Sequence, residues 1–498
     1  MPFRRRLDLL LLTVAVVLTR FIFRSHYLYD VDSVNFALGM RRFNPQTYQP
    51  HPPGYFLYVC AGSLLNAIVH NANLALVVLS IVASCGALIM IYQLTYDWFD
   101  KGTARMAALL FLFSPLAWFH GTVALTYSVE AFFSALLGWL CWRVSEGEMR
   151  LAVPTGLLLG ISAGVRPSSL LLLGPLYLFA LFHADWRRRF GGLAAVVSTI
   201  LAWFVPMVVA SGGPRVYFGA LFSLWRLVPS KDTVFNSSPA TSIARAFTIF
   251  LIYLLCFGAA SIVPLASPAG QHVMDRRKKM FLAVWCLPPL CFFTFIFLKF
   301  VNSGYLLIVA PPACIWMGHR MAEWYEGKGW SKGLKRTLIV MGAAANVAIF
   351  LVSPFYCSFR SVRRFEAELA SIRTALPQVA SSQHALIIGF DSHFLGYRHA
   401  GYYLPDYLTL QYPAVELIQG PRAFSMHGRD TRLLSTIQAS GYSTFILFPL
   451  PQGNASYRDY LNTVKRKLPD GSLRIVHAGG HDFVTGSISD LSRLFPGM

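Results

Sequence analysis

Charge is scarce in this chain. Only 13% of its 498 residues are Asp, Glu, Lys or Arg, whereas 55% are hydrophobic. Soluble domains carry roughly a quarter charged residues, so a soluble composition is excluded. Acid is scarcer than base, 23 residues against 43, for a net charge of +20. The basic residues sit in short loops between apolar runs, which is a pattern of membrane orientation, and no nucleic-acid partner is expected. Cysteines are few: Cys60, Cys85, Cys141, Cys256, Cys286, Cys291 and Cys314 lie in or beside apolar runs, and Cys357 begins a polar tail. With no CxxC pair, neither a disulfide framework nor a thiolate metal site is expected. The opening "MPFRRRLDLLLLTVAVVLTRFIF" lacks a small-residue cleavage site and reads as a retained first helix. Internal repetition and charges deep inside the apolar runs are missing too. That weighs against the main alternative function, a transporter or flippase for a lipid-linked or anionic solute.

Long apolar runs dominate what is there. They fall at 7–23, 74–95, 104–120, 126–143, 151–165, 168–183, 191–210, 243–264, 280–298, 304–320 and 336–354. The expected fold is therefore an α-helical polytopic membrane protein with about eleven transmembrane helices. The shorter apolar segment 55–69 is read as a helix lying at the outer interface, because counting it as a span would invert every later loop. Arg4, Arg5 and Arg6 then place the N-terminus in the cytoplasm. The basic loops "DWFDKGTAR", "WRVSEGEMR", "HADWRRRF", "MDRRKK" and "EGKGWSKGLKR" fall inside. The base-free turn 120–126 and the loop 211–242, with only Arg215, Arg226 and Lys231, fall outside. A bacterial inner membrane is the expected location. Gly156, Gly160 and Gly164 recur every four residues and clear one helix face for close packing.

Two domains are expected: a membrane domain over 1–354, with a first outer loop at 24–73, and an extracytoplasmic α/β domain over 355–498. In the second, "HALIIGF", "YSTFILFPL" and "SLRIVHAGG" have strand length, and 361–376 and 429–440 read as helical. Its Asp391, His393, His481 and Asp482 read as strand-end and loop residues rather than a metal or hydrolase site. "NAS" at Asn454 matches a glycosylation sequon.

Because charge is so rare near these helices, each exception stands out. Asp30 and Asp32 follow the first run. In an extended segment both carboxylates face the same way and can serve as a general base or bind a divalent metal. Alternatively they start a short helix over 33–42. "QPHPPGYF" makes a rigid reversal able to hold His51 against that pair, so Asp30, Asp32 and His51 are the candidate set should a divalent cation be required. Glu130 enters an apolar helix one turn deep, with His120 and Tyr127 near it in sequence. Arg166 and Lys299 lie at helix ends on the outer side, where cations suit a lipid phosphate, and Tyr305 adds a hydroxyl.

An acidic motif after the first helix, the "HPPGY" turn, a second acid in the next outer loop and a late "K-x5-Y-L-x4-PP" together resemble the GT-C superfamily. These are integral-membrane glycosyltransferases that use polyprenyl-phosphate sugars. Protein O-mannosyltransferases and lipid A aminoarabinose transferases form the nearest branch. The likeness follows the order of features over 7–320. It implies that Asp32 is the loop aspartate that activates the acceptor, although Asp-Val-Asp-Ser replaces the commoner Asp-Glu, so Asp30 remains a candidate for that role. Glu130 matches the second acid, while Arg166 and Lys299 match the residues that hold the donor phosphate. The implied partners are a polyprenyl-phosphate-linked sugar donor, a protein, lipid or glycan acceptor, and membrane lipids. The tail resembles no named family; as an acceptor-docking module, its removal would change acceptor use more than donor hydrolysis.

Overall fold

The structure is a computed structural model that describes residues 3–227, 239–262, 274–297, 300–354, 356–390, 392–412, 417–418, 437, 441–449 and 455–495. The chain forms two compact units. One comprises residues 1–25, 55–214 and 221–361; the other comprises 26–54, 215–220 and 362–498. The segment after the first helix thus goes with the C-terminal unit.

The first unit is helical. Each apolar run read from the sequence carries helix, and the departures have local causes. The run at 104–120 breaks into Lys101–Leu112 and Pro115–His120. At the break Ser114 caps the second piece, its Oγ accepting the Ala117 N–H at 3.2 Å, and Pro115 takes the first-turn position that suits it. The helix Pro239–Phe257 stops at Gly258. That residue has φ 67°, a conformation glycine tolerates, and its Cα lies against the Asn346 amide, leaving no room for a side chain. The run at 304–320 begins as a 3₁₀ segment, Phe300–Ile308, and continues as the helix Ala310–Glu326.

Among the described residues four helices are long and apolar enough to cross a bilayer: Ala72–Trp98, Trp186–Ala210, Arg276–Phe295 and Lys332–Val352. At 1.5 Å per residue the first of these, 27 residues long, reaches about 40 Å. Segment 55–69 is the helix Phe56–Val69. The glycine series packs helix on helix. A methyl at Gly156 would lie 2.4 Å from the Gly192 carbonyl oxygen, and one at Gly160 would lie 2.6 Å from Thr199. Close approach of Ala152–Val165 to Trp186–Ala210 therefore requires the small residues.

The C-terminal unit holds a six-stranded mixed sheet: β1 (Ala385–Phe390), β2 (Thr409–Tyr412), β3 (Leu417–Ile418), β4 (Thr444–Leu447), β5 (Arg474–Ala478) and β6 (His481–Ser487). Its order is β3-β2-β1-β4-β6-β5. Strand β1 runs parallel to β2 and β4, and the remaining pairs are antiparallel. In register Leu386 faces Phe445 and Ile388 faces both Leu447 and Leu410. All five are buried in a core that Val464 of the helix Ala455–Lys467 also joins. The helix expected at 361–376 is Phe359–Val379. The stretch 429–440, apart from residue 437, lies outside the described residues, as do Asp391, Asn454 and Lys231.

Candidate functional site

The C-terminal unit brings Asp30, Asp32 and His51 together. The short helix begins two residues earlier than its sequence suggests, at Val31, and runs to Arg41. Asp30 is its N-cap, with extended backbone, and the carboxylate accepts the Asp32 N–H at 2.9 Å. A cap of this kind supplies a partner to one of the orphan donors in the first turn and is worth about 1 kcal/mol. The two acids are therefore not equivalent faces of one extended segment. Asp30 is 5% exposed, and burial together with the neighbouring Asp32 charge holds its pKa well above the ordinary aspartate value. Asp32, in the first helical turn, keeps a third of its side chain exposed, and its Oδ1 lies 3.3 Å from His51 Nδ1.

The turn that carries His51 is fixed by sequence. Asn44 and Gln49 pair across it, Gly54 takes φ 112°, and the Gly54 N–H donates to the His51 carbonyl at 3.1 Å. Gly39 lets this turn lie directly on the helix: a methyl there would sit 2.9 Å from Pro50 Cδ. His51 packs beside Phe36 of the same helix. The helix is tied in turn to the rest of its unit. The Val31 N–H donates to the His393 carbonyl at 2.9 Å, and the Leu28 N–H donates to the Tyr403 hydroxyl at 2.7 Å.

The helical unit brings Glu130, Arg166 and Tyr305 together. Glu130 sits in the first turn of Tyr127–Ser145, and Arg166 occupies the junction between Ala152–Val165 and Ser168–Leu181. Arg166 Nε lies 3.5 Å from Glu130 Oε2, and the Arg166 guanidinium also donates to Thr126 Oγ1 at 3.0 Å. Ser169 Oγ donates to Glu130 at 3.3 Å. Both charged side chains are buried, and their pairing spares each the penalty of a lone buried charge. Tyr305, from the 3₁₀ segment, offers its ring face to the cation with Cζ 3.9 Å from the centroid, and Tyr127 does the same at 4.6 Å. Glu130 and Arg166, read separately as an acid and a phosphate cation, are thus each other's partner. Lys299 lies outside the described residues.

One residue near this cluster was named in the sequence only as a neighbour. His120 ends the helix Pro115–His120, is fully buried, and packs edge-on to Tyr127 at 4.7 Å. Its signal was a histidine closing an otherwise apolar run. Among the described residues no group of three or more His, Cys, Asp or Glu gathers as a metal cage. With Asp30 committed to its helix cap, the set Asp30, Asp32 and His51 does not fit a divalent cation.

Three likenesses accompany this geometry. The family described as the protein O-mannosyl-transferase TMEM260 N-terminal domain matches residues 46–189. An undecaprenyl phosphate-alpha-4-amino-4-deoxy-L-arabinose arabinosyl transferase of Pseudomonas aeruginosa is 24% identical over 301 residues, covering 57% of this chain and 51% of the relative. The chain thus spans about half the length of the curated relatives it matches. In structure it is similar to ArnT from Cupriavidus metallidurans bound to undecaprenyl phosphate, with a TM-score of 0.59 at 12% identity, covering 98% of this chain and 99% of that one. The apo state of the same protein gives a TM-score of 0.53 at 14% identity and the same coverage. The structural likeness shows that the chain shares the fold of that protein.

Proposed function

We propose that this chain, a multi-pass membrane protein with the GT-C fold, moves a sugar from a polyprenyl-phosphate donor to an acceptor hydroxyl. The acceptor, a protein, lipid or glycan, meets the donor at the extracytoplasmic face of a bacterial inner membrane. About eleven crossings with a cytoplasmic N-terminus fit the basic loops. The observation that carries this reading is the Asp32 carboxylate, a third exposed and seated 3.3 Å from His51, which lies on a turn whose glycine and prolines fix its path.

The chemistry follows from the residues. The acceptor oxygen attacks the anomeric carbon and gives its proton to Asp32, while His51 fixes the orientation of that carboxylate. The bond from the anomeric carbon to the phosphate oxygen breaks in the same displacement, so the configuration inverts. Charge grows on the departing polyprenyl phosphate, where Arg166 and Lys299 counter it. Glu130 keeps Arg166 charged and aimed, and Tyr305 supports the guanidinium from one face. Asp30 builds the helix start that presents Asp32.

The test is mass spectrometry of lipid-linked sugars and glycoconjugates in a strain lacking the gene. A lipid-linked sugar should accumulate while one glycoconjugate disappears. Unchanged pools of both would overturn the reading.

A further inference from the structure

The His120 imidazole is fully buried, and among the described residues neither ring nitrogen has a hydrogen-bond partner. Buried polar groups are almost always satisfied, so two orphan nitrogens on one ring mark a place where a partner belongs. The ring is held from three sides. Phe119 packs at 5.0 Å, Tyr127 at 4.7 Å, and the Gly304 backbone lies so close that a methyl there would sit 2.7 Å from His120 Cε1. Cε1 is the atom between the two nitrogens. Glycine at 304 therefore lets the backbone meet the ring there, with no side chain of its own to cover either nitrogen. Tyr127 joins this histidine to Arg166, whose guanidinium lies 4.6 Å from the same ring.

The needs of the ring identify its partner. With Arg166 already the cation of the cluster, a second positive charge is disfavoured, and the neutral imidazole has one donor nitrogen and one acceptor nitrogen. A phosphate diester oxygen only accepts. A sugar hydroxyl both donates and accepts, and so answers either nitrogen. We propose that His120 is a specificity-determining residue that hydrogen-bonds a hydroxyl of the transferred sugar, next to the Arg166 group that counters the donor phosphate. This deepens the glycosyltransferase reading and rests on it.

The experiment uses the full chain in lipid nanodiscs, with undecaprenyl phosphate and a panel of undecaprenyl-phosphate hexoses and pentoses as probes. Two variants are compared with the natural protein: His120→Phe, which keeps the ring packing, and His120→Asn, which keeps a donor and an acceptor. For the donor that is turned over, His120→Phe should raise KM about tenfold or more, with a smaller change in kcat and partial rescue in His120→Asn. Binding of bare undecaprenyl phosphate should stay the same. His120→Phe should also melt no lower than the natural protein, because it removes two unpaired polar atoms without removing volume. Equal loss of bare and sugar-bearing lipid would place the contact at the phosphate and overturn the proposal. Unchanged donor kinetics in both variants, which would mean bridging water only, overturns it as well. So does a fall in melting temperature that parallels the loss of activity. If the natural protein binds bare lipid but turns over no donor, the glycosyltransferase reading fails, and the His120 assignment fails with it.

Discussion

Arg166 Nε stands 3.5 Å from Glu130 Oε2, both side chains buried, with the guanidinium resting on the ring of Tyr305. The pair couples the two helices leading to and from Arg166 with the helix that starts at Tyr127. Removing one partner leaves the other buried and uncompensated, which costs about 3–5 kcal/mol. Arg166→Ala is accordingly expected to lower both thermal stability and transfer. Arg166→Lys retains the charge but loses the fork that reaches Thr126 and Glu130 together, so transfer should drop about tenfold or more with a smaller loss of stability. Melting curves alongside initial rates separate the two effects; equal behaviour of the two variants would contradict the role given to the fork.

The neighbouring aspartates should respond in opposite ways. Asp32→Asn removes the proton acceptor and is expected to abolish transfer with the protein still folded. Asp30→Asn preserves a good cap and should leave most of the activity, whereas Asp30→Ala should cost about 1 kcal/mol of stability. Thermal unfolding and sugar transfer in the three variants check this. An inactive Asp30→Asn with normal stability would move the base to position 30.

Acid dependence offers a separate check on Asp30. Its raised pKa means the folded state prefers the protonated carboxyl. That contribution is complete below the ordinary aspartate pKa and is lost as the pH climbs through the raised folded value. Asp30→Asn lacks the dependence. Its melting temperature relative to the natural protein should therefore improve as the pH rises above the ordinary aspartate value. A constant difference across that range would show that Asp30 titrates normally.

His399 in the C-terminal unit has the opposite sign. Burial pushes its pKa down to about 4, from an ordinary value of 6.5. Its Nδ1 accepts the Gly396 N–H at 3.3 Å, which needs a neutral acceptor there. Stability from this residue is present above the ordinary histidine pKa and is lost as the pH falls toward 4. In His399→Gln the acid-side loss should be smaller, as read from unfolding of the full chain at stepwise lower pH.

The helical plan was legible because a bilayer forces long apolar runs, and a run of that length has few other uses. Breaks inside the runs were not. A lone Ser-Pro at Ser114–Pro115 looks innocuous in an apolar window, yet it caps a new helix. The cap at Asp30 was missed because Asp32-Ser33 offers an equally good start two residues later; tertiary hydrogen bonds such as Val31 to His393 accompany the earlier one. Three strands were read and three were not. Strands β2 and β3 are too short for alternation to register, and β6 opens with the polar pair His481–Asp482. The Asp32–His51 contact was readable from the rigid turn between them. The Glu130–Arg166 pair was not, since nothing local couples residues so far apart in the chain.

Removing the tail beyond residue 361 should do more than alter acceptor choice. His26, Leu28 and Val31 donate backbone hydrogen bonds to Glu366, Tyr403 and His393 of the same unit. Truncation strips these supports from the Asp32 segment, so acceptor transfer and donor hydrolysis should fall together. Retained hydrolysis in the truncated protein would favour a separate docking module.

Release of undecaprenyl phosphate from undecaprenyl-phosphate sugars, followed with purified full-length protein and its Asp32→Asn variant, tests the central claim most directly. The natural protein should free the lipid phosphate from at least one sugar donor when acceptor is present, and the folded variant should free none. Equal release by both, or release from no donor in the panel, would contradict the account.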